Sequence, residues 1–228
     1  MSTFPRLSKN EIGVSIVLIR HNNTGKFQTR LERDIIPTIE AHPEWKFQLI
    51  VIDNSDEEDR SFLEILERKN IPTVYRWPGT NIMYGPAMNL ALKTDVYPIM
   101  VYVCTNHGRM YHTSWIDDLI APIMNNPLVA MTGSFYNSCH PSALGFPSHL
   151  RPVHIQGGVF AASTEVMKKY PYSTDQRWIH WGSDVYQSFQ LLNAGYLLEE
   201  VATVKSVWRQ NLTTPHHWKY VHDNSEEC

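Results

Sequence analysis

Short runs of apolar, mostly β-branched residues alternate with amphipathic stretches through the first 135 residues of this chain. In the amphipathic stretches the apolar residues recur every three or four positions, as Phe27, Leu31 and Ile35 do. Segments that alternate in this way form successive βα units on a mostly parallel sheet. The pattern therefore predicts an α/β fold, with one mostly parallel central sheet flanked by helices. The predicted strands are 14–20, 47–52, 72–77, 99–104, 128–132 and 153–162.

Turn and capping residues indicate where the helices begin and end. The polar run 53–56 supplies N-cap chemistry for a helix that carries Phe62, Ile65, Leu66 and Lys69 on one side. Pro37 is expected to disturb the first helix. Further helices are predicted to begin at Gly85, at Ser114 as N-cap and near Ser183. The helix that begins near Ser183 is expected to end near Gly195. Its predicted apolar stripe consists of Val185, Phe189, Leu192 and Tyr196.

The stretch 133–152 interrupts this pattern, because it is rich in Ser, Pro, Gly and His and has no sustained period. It predicts a long loop, and loops of this length tend to be functional. Gly157 and Gly158 fall within the strand that follows. Glycine in a strand often marks the close approach of a ligand or of another backbone.

Composition excludes several classes of protein. Lys and Arg total 20 against 23 for Asp and Glu, so the net charge is −3, and a chain without a general basic field is not expected to bind nucleic acid. A hydrophobic fraction of 43% fills a core and excludes disorder for most of the chain. The 228 residues correspond to about one and a half average domains, and one core is the better interpretation.

Cysteines and apolar runs indicate the expected compartment. Three scattered cysteines are too few for a disulfide framework, so we expect a reducing environment. The apolar run 14–19 is far shorter than the ~20 residues of a membrane-spanning helix, and the N-terminus lacks a signal-peptide core. These features predict a cytoplasmic protein without a transmembrane segment. Surplus Trp and Tyr on an outer face would allow a homodimer.

Polar residues follow three of the predicted strands, in the runs 20–23, 53–56 and 105–109. Ligands of open parallel sheets bind outside the carboxyl ends of the strands, so these runs are the first candidates for a site. Each run is equally compatible with a hydrophilic βα turn that only caps a helix.

Five segments, in order and at similar spacing, resemble motifs of family 2 glycosyltransferases, which are nucleotide-sugar-dependent enzymes of the GT-A fold. They are 14–23, 49–55, 85–92, 157–160 and the acidic motif 182–184 with the helix behind it. The resemblance extends over roughly residues 13–208 and depends on the order of the motifs more than on any one of them. We therefore expect an N-terminal extension over 1–12, a GT-A domain over 13–212 and a polar, His-rich tail over 213–228.

The resemblance implies a nucleoside diphosphate sugar as donor, with a UDP-sugar favoured, and a hydroxyl-bearing acceptor. Asp53 occupies the position whose carboxylate recognises the nucleobase in that family, and Asn22 would bind the nucleoside beside it. Gly157 and Gly158 would let the donor sugar approach the backbone. The expected donor-binding residues are Arg20, Asn22, Asp53, Asn54, Asn89, Thr105, Asn106, Arg109, Gly157, Gly158 and Trp181.

The chain departs from the family at the Asp-x-Asp motif that normally holds a divalent cation on the diphosphate. Alignment on Arg109 puts Thr105 and His107 at the acidic positions, whereas alignment on Trp115 puts Asn106 and Gly108 there, and we favour the first. An imidazole ligand permits Mn²⁺ and makes strict dependence on Mg²⁺ less favourable.

A late histidine, His217, is the expected second metal ligand, although His216, His217 and His222 also fit a solvated tail. The other interpretation is a metal-free site, in which Arg109, Arg20 or a protonated histidine offsets the charge of the leaving diphosphate.

Asp184 is the candidate general base, and Ser183 stands where the family has a second acidic residue. Inverting transfer needs one carboxylate to take the proton of the acceptor hydroxyl. The first turn of a helix favours the ionised carboxylate through the helix dipole. Asp184 also fits a purely structural helix charge, and Trp178 and Trp181 fit either a sugar-stacking surface or the core.

Two other functions fit the same sequence. The first is a non-catalytic member of the fold that binds a nucleotide or a glycan, because loss of the Asp-x-Asp pair and of the acid at Ser183 is what such decay would produce. The second is an unrelated α/β enzyme, such as a nucleotidyltransferase or a dinucleotide-binding protein. The first strand lacks the Gly-x-Gly-x-x-Gly turn of a dinucleotide site.

Overall fold

The structure is a computed structural model that describes residues 12–105, 110, 112–137, 153–179, 182–201 and 204. Seven strands form one sheet within these residues. They are β1 Gly13–Arg20, β2 Lys46–Asp53, β3 Thr73–Arg76, β4 Ile99–Val103, β5 Val129–Asn137, β6 Val153–Ser163 and β7 Leu197–Glu200.

The helices follow the strands as the alternating pattern predicts. They are α1 Thr24–Arg30, α2 Ile36–Glu40, α3 Leu63–Arg68, α4 Tyr84–Leu92, α5 Trp115–Asn125, α6 Thr164–Lys169 and α7 Ser183–Asn193, with a π-helical segment Leu31–Ile35 between α1 and α2. None of the helices in the described ranges is long and apolar enough to cross a membrane.

The sheet has the strand order β3-β2-β1-β4-β6-β5-β7. β1 pairs in parallel with β2 and β4, β2 with β3, and β5 with β7, whereas β6 runs antiparallel to both β4 and β5. The prediction of an α/β fold with a mostly parallel sheet is confirmed. Because β6 enters from the opposite direction, its first half lies beside the carboxyl ends of β1 and β4.

Apolar residues of the central strands alternate between two cores, one on each side of the sheet. Ile16 and Leu18 belong to one core with Phe27 and Trp115, which come from α1 and α5. Val17, between them, belongs to the other core, which includes residues from α4, α6 and α7. Both sides of the sheet are therefore covered, as the near-continuous apolar run of β1 requires.

The first helix continues past Pro37, where the sequence predicts a disturbance. Phe27, Leu31 and Ile35 are all fully buried, as their spacing predicts. Pro37 lies in the first turn of α2, directly after the π-helical segment. In the π-helical turn before Pro37 the N–H of Ile36 donates to the Leu31 carbonyl, so the backbone stays helical up to the proline. The helical run consequently ends only at Glu40.

Two predicted caps differ from the structure. α3 begins at Leu63, and Phe62 in its N-cap position makes no side-chain cap, so the run 53–56 does not cap it. Phe62 and Leu66 are buried, but Lys69 is exposed and forms an ion pair with Glu40 at 2.8 Å. Ser114 is in the N-cap position of α5 without a side-chain cap bond. Residues 53–56 instead take part in contacts at the strand ends.

The predicted loop 133–152 begins too early. β5 extends to Asn137 through a register shift between Gly133 and Phe135, so residues 133–137 are strand. The remainder, 138–152, lies outside the described residues.

The predicted apolar stripe of α7 is also wrong in part, because Leu192 is 39% exposed. Val185 is buried as predicted, and Ser188 and Leu191 are buried in place of Leu192. The Ser188 hydroxyl accepts the backbone N–H of Ile155 at 3.1 Å, which explains why a polar residue replaces an apolar one on that face. A hydrogen bond of this kind has no periodic signal in the sequence.

Candidate active site

Asp53 connects the carboxyl ends of three neighbouring strands. The register places it beside Arg20, and its side chain is completely buried. One carboxylate oxygen accepts the N–H of Ser55 at 3.1 Å and lies 3.4 Å from Arg20 Nε. The other oxygen accepts the hydroxyl of Tyr75, on β3, at 2.8 Å.

This placement differs from the expected role of Asp53 in contacting a nucleobase, because both of its oxygens face protein groups. Burial and the Asp53 hydrogen bond raise the pKa of Tyr75 well above the ordinary value. The phenol therefore stays protonated and keeps donating to the carboxylate.

Arg20 is also buried, with 2% of the residue exposed. Its guanidinium donates to the backbone carbonyl and the carboxylate of Asp59 at 3.1 Å each, and to Thr24 Oγ1 at 3.1 Å. It also lies over the rings of Phe27 and Phe62, at 5.6 and 5.9 Å from their centroids. Arg20 thus holds the segment after β2 in place, and its expected contact with a diphosphate stays a prediction.

Asp59 completes that arrangement. The backbone N–H of Ser61 is the main cause that holds the pKa of Asp59 well below its ordinary value, and contacts with Thr24 and Arg20 act in the same direction. Asp59 therefore stays ionised and balances the buried guanidinium.

The exposed surface at the same strand ends is formed by Asn22, Asp56 and Trp77. Asn22 Nδ2 donates to Asp56 Oδ2 at 2.7 Å, and the Asp56 N–H donates back to Asn22 Oδ1 at 3.2 Å. Asn22 has φ 46°, and its N–H donates to the hydroxyl of buried Ser55 at 2.9 Å. The carbonyl of the same Ser55 accepts the indole N–H of Trp77 at 2.9 Å.

Sequence reasoning did not select Asp56 or Trp77 as site residues. Both carry the signal that selected their neighbours, since Asp56 belongs to the run 53–56 and Trp77 ends the predicted strand 72–77. The missing information was that β3 lies beside β2.

Asn54 and the start of α4 connect this surface to the rest of the edge. Asn54 is 3% exposed, and its Nδ2 donates to the carbonyl of Met83 at 3.3 Å. Met83 has φ 68°, a conformation that favours glycine and costs about 1–3 kcal/mol for other residues. The next residue, Tyr84, begins α4.

Asn89 lies further along α4 and has both ends of its amide occupied. Its Nδ2 donates to the backbone carbonyl of Tyr172, and its Oδ1 accepts the Tyr172 N–H, each at 2.9 Å. The residue therefore fixes α4 to the segment after α6, and its expected contact with the sugar donor stays a prediction.

Asp184 and the glycine pair come together next to the end of β4. The N–H of Cys104 donates to the carbonyl of Gly158 at 2.7 Å, and the N–H of Gly157 donates to Asp184 Oδ2 at 2.9 Å. The N–H of Val185 donates to Asp184 Oδ1 at 2.9 Å, within the first turn of α7. One quarter of the Asp184 side chain is exposed. Thr105, half-buried, follows Cys104 directly.

His154 is a further residue of this group that the sequence did not indicate. It lies on β6, is 2% exposed, and its Nε2 is 3.8 Å from Asp184 Oδ2. A Cβ at Gly157 would be 3.4 Å from Asp184 Oδ2 and 3.6 Å from the Tyr84 hydroxyl, which are ordinary contacts. A larger side chain at position 157 would therefore begin without a steric clash, so the packing of the protein does not by itself require glycine there.

Tyr84 lies at the carboxyl edge of the sheet, between the surface around Asn54 and the group around Asp184. It belongs to a buried group of tyrosines. Its ring lies 5.4 Å from Tyr102 and 5.5 Å from Tyr172, edge to face in both cases. Burial is the main cause that raises the pKa of all three far above the ordinary value. The group is therefore neutral at physiological pH, and it forms a rigid uncharged layer behind Asp184.

Gly182 is a position at which the backbone requires glycine. Its φ is 71°, and a Cβ there would be 3.2 Å from the ring of Trp178. Trp178 is itself stacked on Tyr186 at 6.4 Å, so packing within the protein accounts for this tryptophan. The left-handed turn at Gly182 directs the chain into α7 and so places Asp184 in the first turn.

The expected metal ligands His107 and His217 lie outside the described residues, as do Asn106, Arg109 and Trp181. Among the residues that are described, no three His, Cys, Asp or Glu side chains are close enough to hold a metal ion.

Comparison with known proteins supports the fold. No protein-family model and no curated protein sequence matches the chain. Among solved structures, a mannosyltransferase from Pyrobaculum calidifontis, PcManGT in complex with GDP-Man and Mn²⁺, has a TM-score of 0.66 at 13% identity, over 90% of this chain and 59% of that chain.

Glucosyl-3-phosphoglycerate synthase from Mycobacterium tuberculosis, with Mn²⁺, UDP and phosphoglyceric acid, has a TM-score of 0.63 at 17% identity, over 95% of this chain and 78% of that chain. GalNAc-T7 with UDP, GalNAc and Mn²⁺ has a TM-score of 0.61 at 14% identity, over 94% of this chain and 48% of that chain. The chain thus spans about half to four fifths of these structures. At such identities the likeness shows that the chain has the GT-A fold.

Proposed function

We propose that the protein transfers a sugar from a nucleoside diphosphate sugar to a hydroxyl acceptor. One observation carries the proposal: hydrogen bonds connect the end of β4, through Gly158 and Gly157, to the carboxylate of Asp184. This connection lies at the carboxyl edge of the parallel strands, where ligands of such sheets bind. The solved structures of the same fold, with GDP-Man or UDP bound, support the class of donor.

In the proposed reaction the oxygen of the acceptor hydroxyl attacks the anomeric carbon from the face opposite the diphosphate. The new C–O bond forms as the bond to the diphosphate breaks, and the nucleoside diphosphate leaves with that electron pair. Asp184 takes the proton of the hydroxyl. Inversion at the anomeric carbon follows from attack on the opposite face.

The surroundings of Asp184 suit this role. The N–H groups of Gly157 and Val185 each donate to one carboxylate oxygen and so fix the plane of the carboxylate without adding a charge. Asp184 also lies in the first turn of α7, at the N-terminal end of the helix dipole. The exposed quarter of the side chain leaves an approach for the acceptor.

The donor would extend from the surface around Asn22 to the glycine pair. Thr105, beside the end of β4, would lie near the diphosphate, with Asn106 and Arg109 as its predicted partners. A divalent metal on the diphosphate, held by His107 and His217, stays a prediction, as does the metal-free alternative. A bound metal would offset the charge that develops on the diphosphate.

Titration of the whole protein tests this proposal. We expect UDP-glucose or GDP-mannose to bind in a calorimeter, with or without added Mn²⁺, and to be hydrolysed slowly when no acceptor is present. Binding with no turnover would instead favour the non-catalytic alternative. Failure of every nucleotide sugar to bind would contradict the proposal.

The variant Asp184→Asn tests the base. Loss of a general base costs about 10²–10⁴-fold in rate, so we expect turnover to fall by at least about 100-fold while donor affinity changes less than about threefold. Asp175→Asn is the matched control, because Asp175 is an exposed carboxylate paired with Arg177. An Asp184→Asn protein that keeps most of its turnover would refute the assignment.

A further inference from the structure

The carboxylate expected to recognise a nucleobase is not exposed at the site. Asp53 is fully buried, and its oxygens face Ser55, Arg20 and Tyr75. A base bound at the ends of β1 and β2 must therefore contact other groups. The exposed side chains there come from the segments that follow β1, β2 and β3.

Asp56 is an exposed carboxylate at these strand ends, three residues after Asp53. Its reciprocal hydrogen bonds with Asn22 fix both its backbone and one of its carboxylate oxygens, Oδ2. Oδ1 receives no hydrogen bond from the part of the chain that the structure describes. Asp56 thus presents a fixed hydrogen-bond acceptor to solvent.

Trp77 is a second exposed side chain at these strand ends. Its indole N–H donates to the Ser55 carbonyl at 2.9 Å, yet 38% of the residue is exposed. Ser55 is buried and also holds Asn22 through its hydroxyl, so the indole and the Asn22–Asp56 pair are anchored to the same residue. Exposed aromatic rings held in place in this way are platforms on which bases stack.

We propose that Asp56 and Trp77 form the nucleobase subsite, an inference that rests on the proposed function. Trp77 stacks on the base, and Asp56 Oδ1 accepts the N–H of the base ring. Uracil and guanine present a ring N–H at that position, whereas cytosine and adenine present an unprotonated ring nitrogen. The subsite therefore selects UDP and GDP over CDP and ADP, and Asp53 acts only by positioning Arg20 and Tyr75.

Calorimetric titration of the full chain with UDP, GDP, CDP and ADP tests the selectivity. A hydrogen bond to a charged group corresponds to about tenfold or more in affinity, so we expect UDP to bind at least about tenfold more tightly than CDP. In Asp56→Asn the side-chain amide can donate to the cytosine ring nitrogen. The ratio of UDP to CDP affinity should therefore fall by about tenfold or more.

Glu57→Gln is the matched control, because it removes the same charge from the adjacent exposed residue. It should leave the ratio unchanged. A ratio measured on one preparation does not depend on the fraction of protein that is folded, so partial unfolding of a variant does not affect the result.

Trp77→Ala tests the stacking contact separately. We expect it to weaken binding of all four nucleotides by about tenfold, whereas Trp77→Phe, which keeps an aromatic face, stays within about threefold of wild type. A UDP-to-CDP ratio that Asp56→Asn does not change, with UDP still bound by wild type, would overturn this inference and leave the proposed function standing. Failure of wild type to bind any of the four nucleotides would overturn both.

Discussion

Replacement of Asp53 by alanine distinguishes a structural carboxylate from a ligand-binding one. The side chain is completely buried and accepts from Ser55 and Tyr75, and Arg20, beside it at 3.4 Å, is itself only 2% exposed. Alanine leaves the Ser55 N–H and the Tyr75 hydroxyl without their acceptor and leaves Asp59 alone to balance Arg20. Removing one partner from a buried, hydrogen-bonded ion pair costs about 3–5 kcal/mol. We therefore expect the free energy of unfolding to fall by about 3–5 kcal/mol, a large part of the total for a single domain.

Equilibrium unfolding in urea, followed by circular dichroism, measures this loss. Tyr75→Phe removes one hydrogen bond to the same carboxylate and should cost about 1.5–3 kcal/mol. Because the two residues share that bond, the double variant should cost less than the sum of the single ones. Asp56→Ala, on the exposed surface, is the control and should change stability by less than about 1 kcal/mol.

A stability loss below about 1 kcal/mol in Asp53→Ala would refute the structural role. If that variant also lost UDP binding, the expectation from the family resemblance, that Asp53 itself recognises the base, would be correct. Loss of stability together with an unchanged ratio of UDP to CDP affinity in the folded fraction supports the structural role.

Two further predictions concern stability. Burial lowers the pKa of His42, but the carbonyl one turn earlier and Asp117, 2.9 Å from Nε2, outweigh it and raise the pKa. The pair of His42 and Asp117 therefore contributes its full stabilisation of the folded state below the pKa of His42 in the unfolded chain. This stabilisation is lost as the pH rises through the pKa of His42 in the folded protein. In urea titrations, His42→Ala should therefore lower the free energy of unfolding more at pH 5.5 than at pH 9. Equal losses at the two pH values would show that His42 and Asp117 do not form a charged pair. Gly182→Ala should cost about 1–2 kcal/mol, because its φ is 71° and the ring of Trp178 is close. Gly25→Ala is the control, because a Cβ at this position of α1 would meet open space. Equal melting temperatures for Gly182→Ala and Gly25→Ala would refute the backbone strain expected at Gly182.

The periodic features of the sequence predicted most of the fold. The spacing of Phe27, Leu31 and Ile35 identified a buried helix face, and all three are fully buried. Such predictions succeed because each depends on residues within two or three turns of one another. Ends of elements were predicted less well, as β5 continues through residues 133–137.

The errors occurred where a contact between distant segments replaced a local preference. Ser188 is buried on α7 because its hydroxyl accepts an N–H from β6, 33 positions earlier in the chain. His154 contacts Asp184 only because β6 runs antiparallel beside β4 and carries it to the start of α7. Neither contact leaves a pattern in the residues nearby.

Asp53 and Asp56 illustrate the division between sequence and tertiary structure. The sequence by itself determined that a polar run follows β2, and the carboxyl ends of parallel strands then bring this run to one edge of the sheet. Which carboxylate is buried there was decided only by the tertiary structure. Arg20 and Tyr75, on the two neighbouring strands, supply the charge and the donor that Asp53 needs in order to be buried. Asp56 pairs instead with Asn22 at the surface and stays in solvent.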